Sequence, residues 1–255
     1  MSFLTAESNH PETSEWTWRR LYRIGGISGG VYALLVLVPL VLVFTAPVPP
    51  HRGGPLLAYI AEHRAVYLVE LVCFVGLAVP ALVVFAALAL ALRGVDPVMA
   101  ALGGLAGIVS ETIALAPGSS PQSLHGGLVV LSTQYAGAAN DTERAGLVSA
   151  ADALIAATNA VSWAGILTAA AILVLSLLMR RGGFGTALTV VGVVTGALGI
   201  VSEALRPVMG VSYLLYGLLL PTWFLWVGVK LLHLARDSRR APERTGRRTP
   251  SSSAA

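Results

Sequence analysis

Charge is what this sequence most lacks. Of its 255 residues 55% are hydrophobic and only 12% are charged, against roughly 25% charged in an ordinary soluble domain. Such a chain would not stay dispersed in water, so a soluble globular protein is excluded. Cysteine is scarce too. Cys73 is the only one, which rules out an intrachain disulfide, and its place inside an apolar run reads as a small buried hydrophobe. Catalytic signatures are missing as well: there is no GxSxG, no Walker loop, no HExxH and no cysteine–histidine pairing. The common enzyme machineries therefore lack their working parts, and the expectation is that the chain is not an enzyme. His51, His63 and His125 show none of the close spacing of a zinc site and read as solvated loop residues. Neither a metal nor a cofactor is expected.

The chain has instead contiguous apolar runs of about twenty residues, the length at which a helix rising 1.5 Å per residue crosses ~30 Å of hydrocarbon. The fold class this predicts is all-α, a polytopic membrane bundle of six transmembrane helices. The spans fall at about 22–46, 66–92, 98–115, 159–179, 186–205 and 211–234 within a membrane domain of residues 19–236. Residues 1–18 form a polar tail ending in two tryptophans, and residues 237–255 a basic, disordered one. The first span starts like a signal sequence, but its apolar core exceeds the roughly 7–15 residues of a secretory one, so it is expected to be retained. PVPPHRGGP at 47–55 reads as a loop, and Leu56 to His63 as a segment along the membrane interface. Pro80 should kink the second span. The only long stretch outside the bilayer, 118–158, has an apolar piece at Leu124 to Ala138 and a helical pattern from Arg144 to Thr158, suited to capping the bundle.

Basic residues set the orientation. Thirteen lie at the termini and in the two tight turns RGVDP and RRGGFG, against four (Arg52, Arg64, Arg144 and Arg206) on the other side. The positive-inside rule then places both termini in the cytoplasm of a cell (inner) membrane and the long loop outside. The net charge of +4 belongs to these flanks, so nucleic acid is not an expected partner; the lipid bilayer is.

The pentapeptide GIVSE occurs twice, at 107–111 and 199–203, each time ending a glycine-rich span that follows a basic turn. Two like hairpins suggest a parallel helical-hairpin repeat; chance within glycine- and alanine-rich helices is the alternative. Gly103, Gly107 and Glu111 are successive i+4 steps, and Gly196, Gly199 and Glu203 follow at i+3 and i+4. Each carboxylate therefore continues a glycine stripe, where neighbouring backbones come closest, and should turn into the bundle. An acid facing mid-membrane lipid would cost about 2.5–3.5 kcal/mol. Prolines six and four residues downstream put both about 6–9 Å inside the outer end at helical rise.

Glu70, Asn159 and Arg206 arrive at the same level, so Glu70, Glu111, Asn159, Glu203 and Arg206 form a candidate outer-leaflet ligand-binding cluster. With three acids and one arginine, at least one carboxyl needs a proton or a cation. One reading is an integral membrane protein whose polar pocket binds or transports a small polar or cationic species. The other is a non-transporting structural or regulatory bundle, in which a Glu203–Arg206 pair fixes helix register. In that reading glycine-rich faces such as Gly26 and Gly30 recruit a membrane-protein partner or a second copy.

The layout resembles the uncharacterised bacterial and archaeal six-span family known as domain of unknown function 4386. The resemblance rests on RRLYRIGGISGGVYALL opening the first span, the polar excursion after the third, RRGGFGTALTVVGVVTGALGIVSEALRP, and the closing LLLPTWFLWVGVKLLHLAR, and it covers roughly residues 19–236. RRGGFG stands here in place of the family's serine-glycine and proline-arginine turn. The resemblance implies an all-helical bundle and carries no activity or functional residues with it.

Overall fold

The computed structural model describes residues 11–42, 44, 46–118, 124–161, 163–205 and 213–245. They form helices α1 (Pro11–Leu42), α2 (Gly53–Glu62), α3 (Arg64–Gly76), α4 (Ala78–Leu92), α5 (Pro97–Leu115), α6 (Leu124–Gly137), α7 (Asp141–Val161), α8 (Ala164–Met179), α9 (Thr186–Ala204) and α10 (Tyr213–Thr245), with no strand among the described residues. Six stretches of these are long and apolar enough to cross a membrane: Trp18–Leu42, Arg64–Leu92, Pro97–Leu115, Asp141–Met179, Thr186–Ala204 and Tyr213–Asp237. The protein is an all-α, multi-pass membrane bundle.

Several boundaries differ from the sequence reading, each for a local reason. Helix α1 begins at Pro11, inside the stretch read as a tail, where proline's fixed φ suits a first helical turn. Helix α10 likewise continues past Arg236 to Thr245. The second span is two helices meeting at Leu77. Pro80 has no N–H for the Gly76 carbonyl, so one backbone bond is lost there, while Leu77 between the two helices stays helical at φ −57°, ψ −34°. Within the fourth stretch α7 ends at Val161 and α8 begins at Ala164. At the tight turns the chemistry is local: the Asp96 carboxylate accepts from the N–H of Val98 and Met99 to start α5. Gly183 and Gly185 take φ of 74° and 93° ahead of α9, a conformation L side chains rarely adopt.

The spans pack in the cyclic order α1, α4, α5, α8, α9, α10, with α10 closing back on α1 and α4 reaching across to α8 and α10. Glycine permits the closest of these approaches. A Cβ at Gly29 would lie 2.5 Å from the Phe224 carbonyl oxygen and 2.9 Å from the Gly228 Cα on α10. One at Gly196 would lie 2.6 Å from the Leu173 backbone nitrogen on α8, and one at Gly104 2.5 Å from the Ala89 Cβ on α4. The glycine stripes are thus used within the chain. Gly26 packs on α10, whereas Gly30 has nothing within 4 Å.

Inside the ring, Phe85, Trp223 and Phe224 are fully buried, with Tyr32 stacked on Phe224 at 3.9 Å between ring centroids. The indole N–H of Trp223 reaches the Ser176 hydroxyl at 3.2 Å, which satisfies the one polar atom of that side chain. Outside it, Ile24, Ile27, Val31 and Leu34 form an exposed stripe at helical spacing on α1, and Val98, Leu102, Leu105 and Val109 another on α5. These are the faces that meet acyl chains.

Beside the ring lies a second core, in which α2, α6 and α7 enclose Leu57, Ile60, Leu128 and Ala151 against Tyr67 and Leu71 of α3. The segment expected to lie along the interface, Leu56 to His63, is therefore buried in a cap: Leu57 and Ile60 have no exposure. The loop before it stops at Arg52, since Gly53 already begins α2 and donates its N–H to the Asp152 carboxylate on α7 at 2.8 Å. Ser132 of α6 ties the cap together by donating to the Leu57 carbonyl at 2.8 Å.

Candidate functional site

Both repeated carboxylates converge on the first turns of α8. Glu111, 8% exposed, accepts a hydrogen bond from the Thr168 hydroxyl at 3.0 Å. Its neighbour Ser110 donates to the Ala164 carbonyl at 2.6 Å and shares a 2.6 Å contact with the Thr168 hydroxyl. Ala164 is among the first residues of α8, so its carbonyl is partnered by a neighbouring helix in addition to its own ladder. On the other flank, Glu203 of α9 lies flat on Gly165: a Cβ there would sit 2.6 Å from the Glu203 Cδ. Glu203 accepts from the Tyr213 hydroxyl of α10 at 2.7 Å.

The spans curve these groups into one region. Tyr32 of α1, 5% exposed, lies within electrostatic reach of Glu111, Tyr213 and Tyr216, and a Cβ at Gly199 would meet the Tyr216 ring at 2.6 Å. Five of the six spans therefore deliver polar atoms to this region of the ring, from α1, α5, α8, α9 and α10. Ser202, next to Glu203, has a buried hydroxyl with no hydrogen-bond partner among the described residues.

Of the five residues singled out from sequence, Glu111 and Glu203 flank α8 together. Glu70, half-buried on α3, lies instead by Tyr59 and Tyr67 under the cap, and forms no hydrogen bond or ion pair among the described residues. Burial, reinforced by the Glu70 charge, raises the Tyr59 phenol above its ordinary value, and its hydroxyl is buried without a hydrogen-bond partner. Asn159 is exposed on the last turn of α7, before α8 begins. Arg206 lies outside the described residues, and with it the expected Glu203–Arg206 pair. His125 is not a solvated loop residue: its Nδ1 is 3.2 Å from the Gly118 carbonyl oxygen and its ring meets Phe74 edge-on. Burial lowers its pKa, partly offset by backbone hydrogen bonds to Gly118 and Pro117.

Sequence reasoning missed Ser110, Thr168, Tyr32 and Tyr213. Ser110 was in view inside the first copy of the pentapeptide, as Ser202 was inside the second. Tyr32 continues the Gly25–Gly29 stripe at i+3, so the argument that aimed the glutamates inward would have aimed it inward too. Thr168 gave no signal, because hydroxyls are ordinary in membrane helices.

Fold and interior together define an integral membrane protein of the helical-bundle class with a buried acidic cluster near one end of the ring. No protein-family model, no curated protein and no solved structure matches the chain.

Proposed function

We propose that the protein binds, and passes across the membrane, a small cationic or polar species at a site centred on Glu111, with Glu203, Ser110, Thr168 and the tyrosine hydroxyls around it. The observation that carries this reading is the Glu111 side chain. It is almost fully buried, and a threonine hydroxyl is its one hydrogen-bond donor among the described residues, none of which forms an ion pair with it. A buried carboxylate costs several kcal/mol to ionise without an opposite charge, so the group is completed by a proton or by a cation that arrives from solution. Both termini face the cytoplasm of the inner membrane in this reading, the chain carries no catalytic activity, and it belongs to the six-span family that its layout resembles.

The test is cation and proton flux into liposomes holding the purified protein, compared with Glu111→Gln. Loss of flux with an unchanged unfolding temperature supports the site. Absence of flux in the native protein, or equal flux in both, removes it. A second reading rests on a different observation, the 2.6 Å hydrogen bond from Ser110 to the Ala164 carbonyl, which ties α5 to α8. In that reading the cluster holds helix register and the bundle serves another membrane protein. It gains if flux is absent and Ser110→Ala lowers stability.

A further inference from the structure

A second site lies at the opposite end of the ring and on its lipid side. Helices α1 and α5 both pack on α4 but diverge from each other there, leaving a groove of about 430 Å³. Trp18 of α1 forms one wall, Ala86 of α4 the floor and Pro97 to Ile108 of α5 the other wall, with Arg93 at the mouth. Along α5 the lining extends eleven residues from Pro97 to Ile108, about 17 Å at helical rise. That is about half of a ~30 Å hydrocarbon core, the depth of one leaflet.

The chemistry of the mouth differs from that of the groove. Arg93 is exposed, lies with its guanidinium 4.4 Å from the centroid of the Trp18 ring, and makes no hydrogen bond or ion pair among the described residues. Stacked in this way, its N–H edge stays available for a phosphate. The Tyr22 phenol lies within its electrostatic reach. The nearest carboxylate in sequence, Asp96, is engaged by the Val98 and Met99 N–H groups at the start of α5. Positive charge is concentrated at this end: a Cβ at Gly182 would meet Leu92 at 2.8 Å, which brings the Arg180–Arg181 turn beside the Arg93 turn.

From this geometry we infer that the groove holds one anionic phospholipid, its acyl chain lying between α1 and α5 over Ala86 and Ala101, and its phosphate on Arg93 beside Trp18. A leaflet-deep apolar slot fits a chain, and a cation stacked at the headgroup level fits the charge. A zwitterionic lipid offers the same slot and phosphate, but its choline cancels the charge, so the positive end made by Arg93 and the Arg180–Arg181 turn favours the lipid with net negative charge.

The experiment is native mass spectrometry of the full chain in detergent, titrated separately with phosphatidylglycerol and phosphatidylcholine. Preferential retention of phosphatidylglycerol is expected. Arg93→Gln should weaken that preference about fivefold or more, and Ala101→Phe, on an exposed position, should abolish binding of either lipid. Unfolding temperatures of both variants, measured without added lipid, should match the native protein. Equal binding of the two lipids, retention by Ala101→Phe, or a protein dimer that Ala101→Phe dissociates would each overturn the inference. The last outcome would show that a second copy covers the groove.

Discussion

Replacing Thr168 by valine keeps the shape of the side chain and removes its hydroxyl, which is a sharp test of how the acidic cluster is held. One hydrogen bond disappears, the 3.0 Å one to Glu111, together with a 2.6 Å contact to the Ser110 oxygen. Hydrogen bonds between membrane helices average about 0.6 kcal/mol and reach about 1.7 kcal/mol, and stranding the buried acceptor brings the expected cost to ~1–3 kcal/mol. Glu111→Leu removes the acceptor instead. The double variant Glu111→Leu with Thr168→Val strands nothing on the carboxyl side, so it should be more stable than the sum of the single losses by about 0.5–3 kcal/mol. Glu111→Gln keeps an oxygen that Thr168 can donate to and should stay within about 0.5 kcal/mol of the native protein. The assay is reversible unfolding in mixed micelles titrated with a denaturing detergent and followed by helical circular dichroism. Strict additivity of the two single variants, or a Thr168→Val loss below about 0.5 kcal/mol, would refute the claim that this hydroxyl supports Glu111.

Adjacent glycines on α1 should behave in opposite ways. Gly29→Ala drives a methyl into α10 backbone and should cost at least ~1–3 kcal/mol in the same unfolding assay, whereas Gly30→Ala meets open space and should be neutral or gain up to about 1 kcal/mol of helix propensity. Asp152→Ala removes the acceptor for the Gly53 N–H and should cost about 0.5–2 kcal/mol, seen as faster amide exchange at the start of α2 with the spans unchanged. His125 has a folded pKa below its unfolded value of ~6.5, so the unfolded form binds the proton more readily. The stability this neutral ring supplies is full above pH ~6.5 and is lost as pH falls toward the folded pKa; amide exchange in α6 should accelerate on acidification, and His125→Gln should flatten that response.

Much of the architecture was readable because lipid imposes simple rules. Twenty apolar residues in a row can do little else in a bilayer, and six stretches long and apolar enough to cross one are present among the described residues. Glu111 was legible for the same reason, since a carboxylate extending a glycine stripe has to face protein. Helix rotation and long-range contact were not legible. Nothing local tells Gly29, which touches α10, from Gly30, which touches nothing. Asp152 shows no local sign of its role, because its partner Gly53 is 99 positions away. The cap was hidden likewise: α2 is apolar enough to pass for an interfacial segment, and only α6 and α7 folding over it make Leu57 and Ile60 a core. Glu70 read as a member of the Glu111 cluster because both are acids at similar depth, and the phenols within its electrostatic reach are Tyr59 and Tyr67. Depth is one coordinate, and the angular position around the bundle comes from packing alone.

The seam between α1 and α10 bears on how such a molecule is made. Synthesis runs from one end, so the first span enters the membrane long before its glycine-matched neighbour exists, and until then Gly25, Gly26 and Gly29 present bare backbone to lipid or to a chaperone. Each newly inserted hairpin can dock on the one before it, but the circle shuts only when the final span emerges. A chain interrupted anywhere upstream of Tyr213 should therefore leave an open arc, exposed at α1 and recognisable to membrane quality control, however well its other helices have formed.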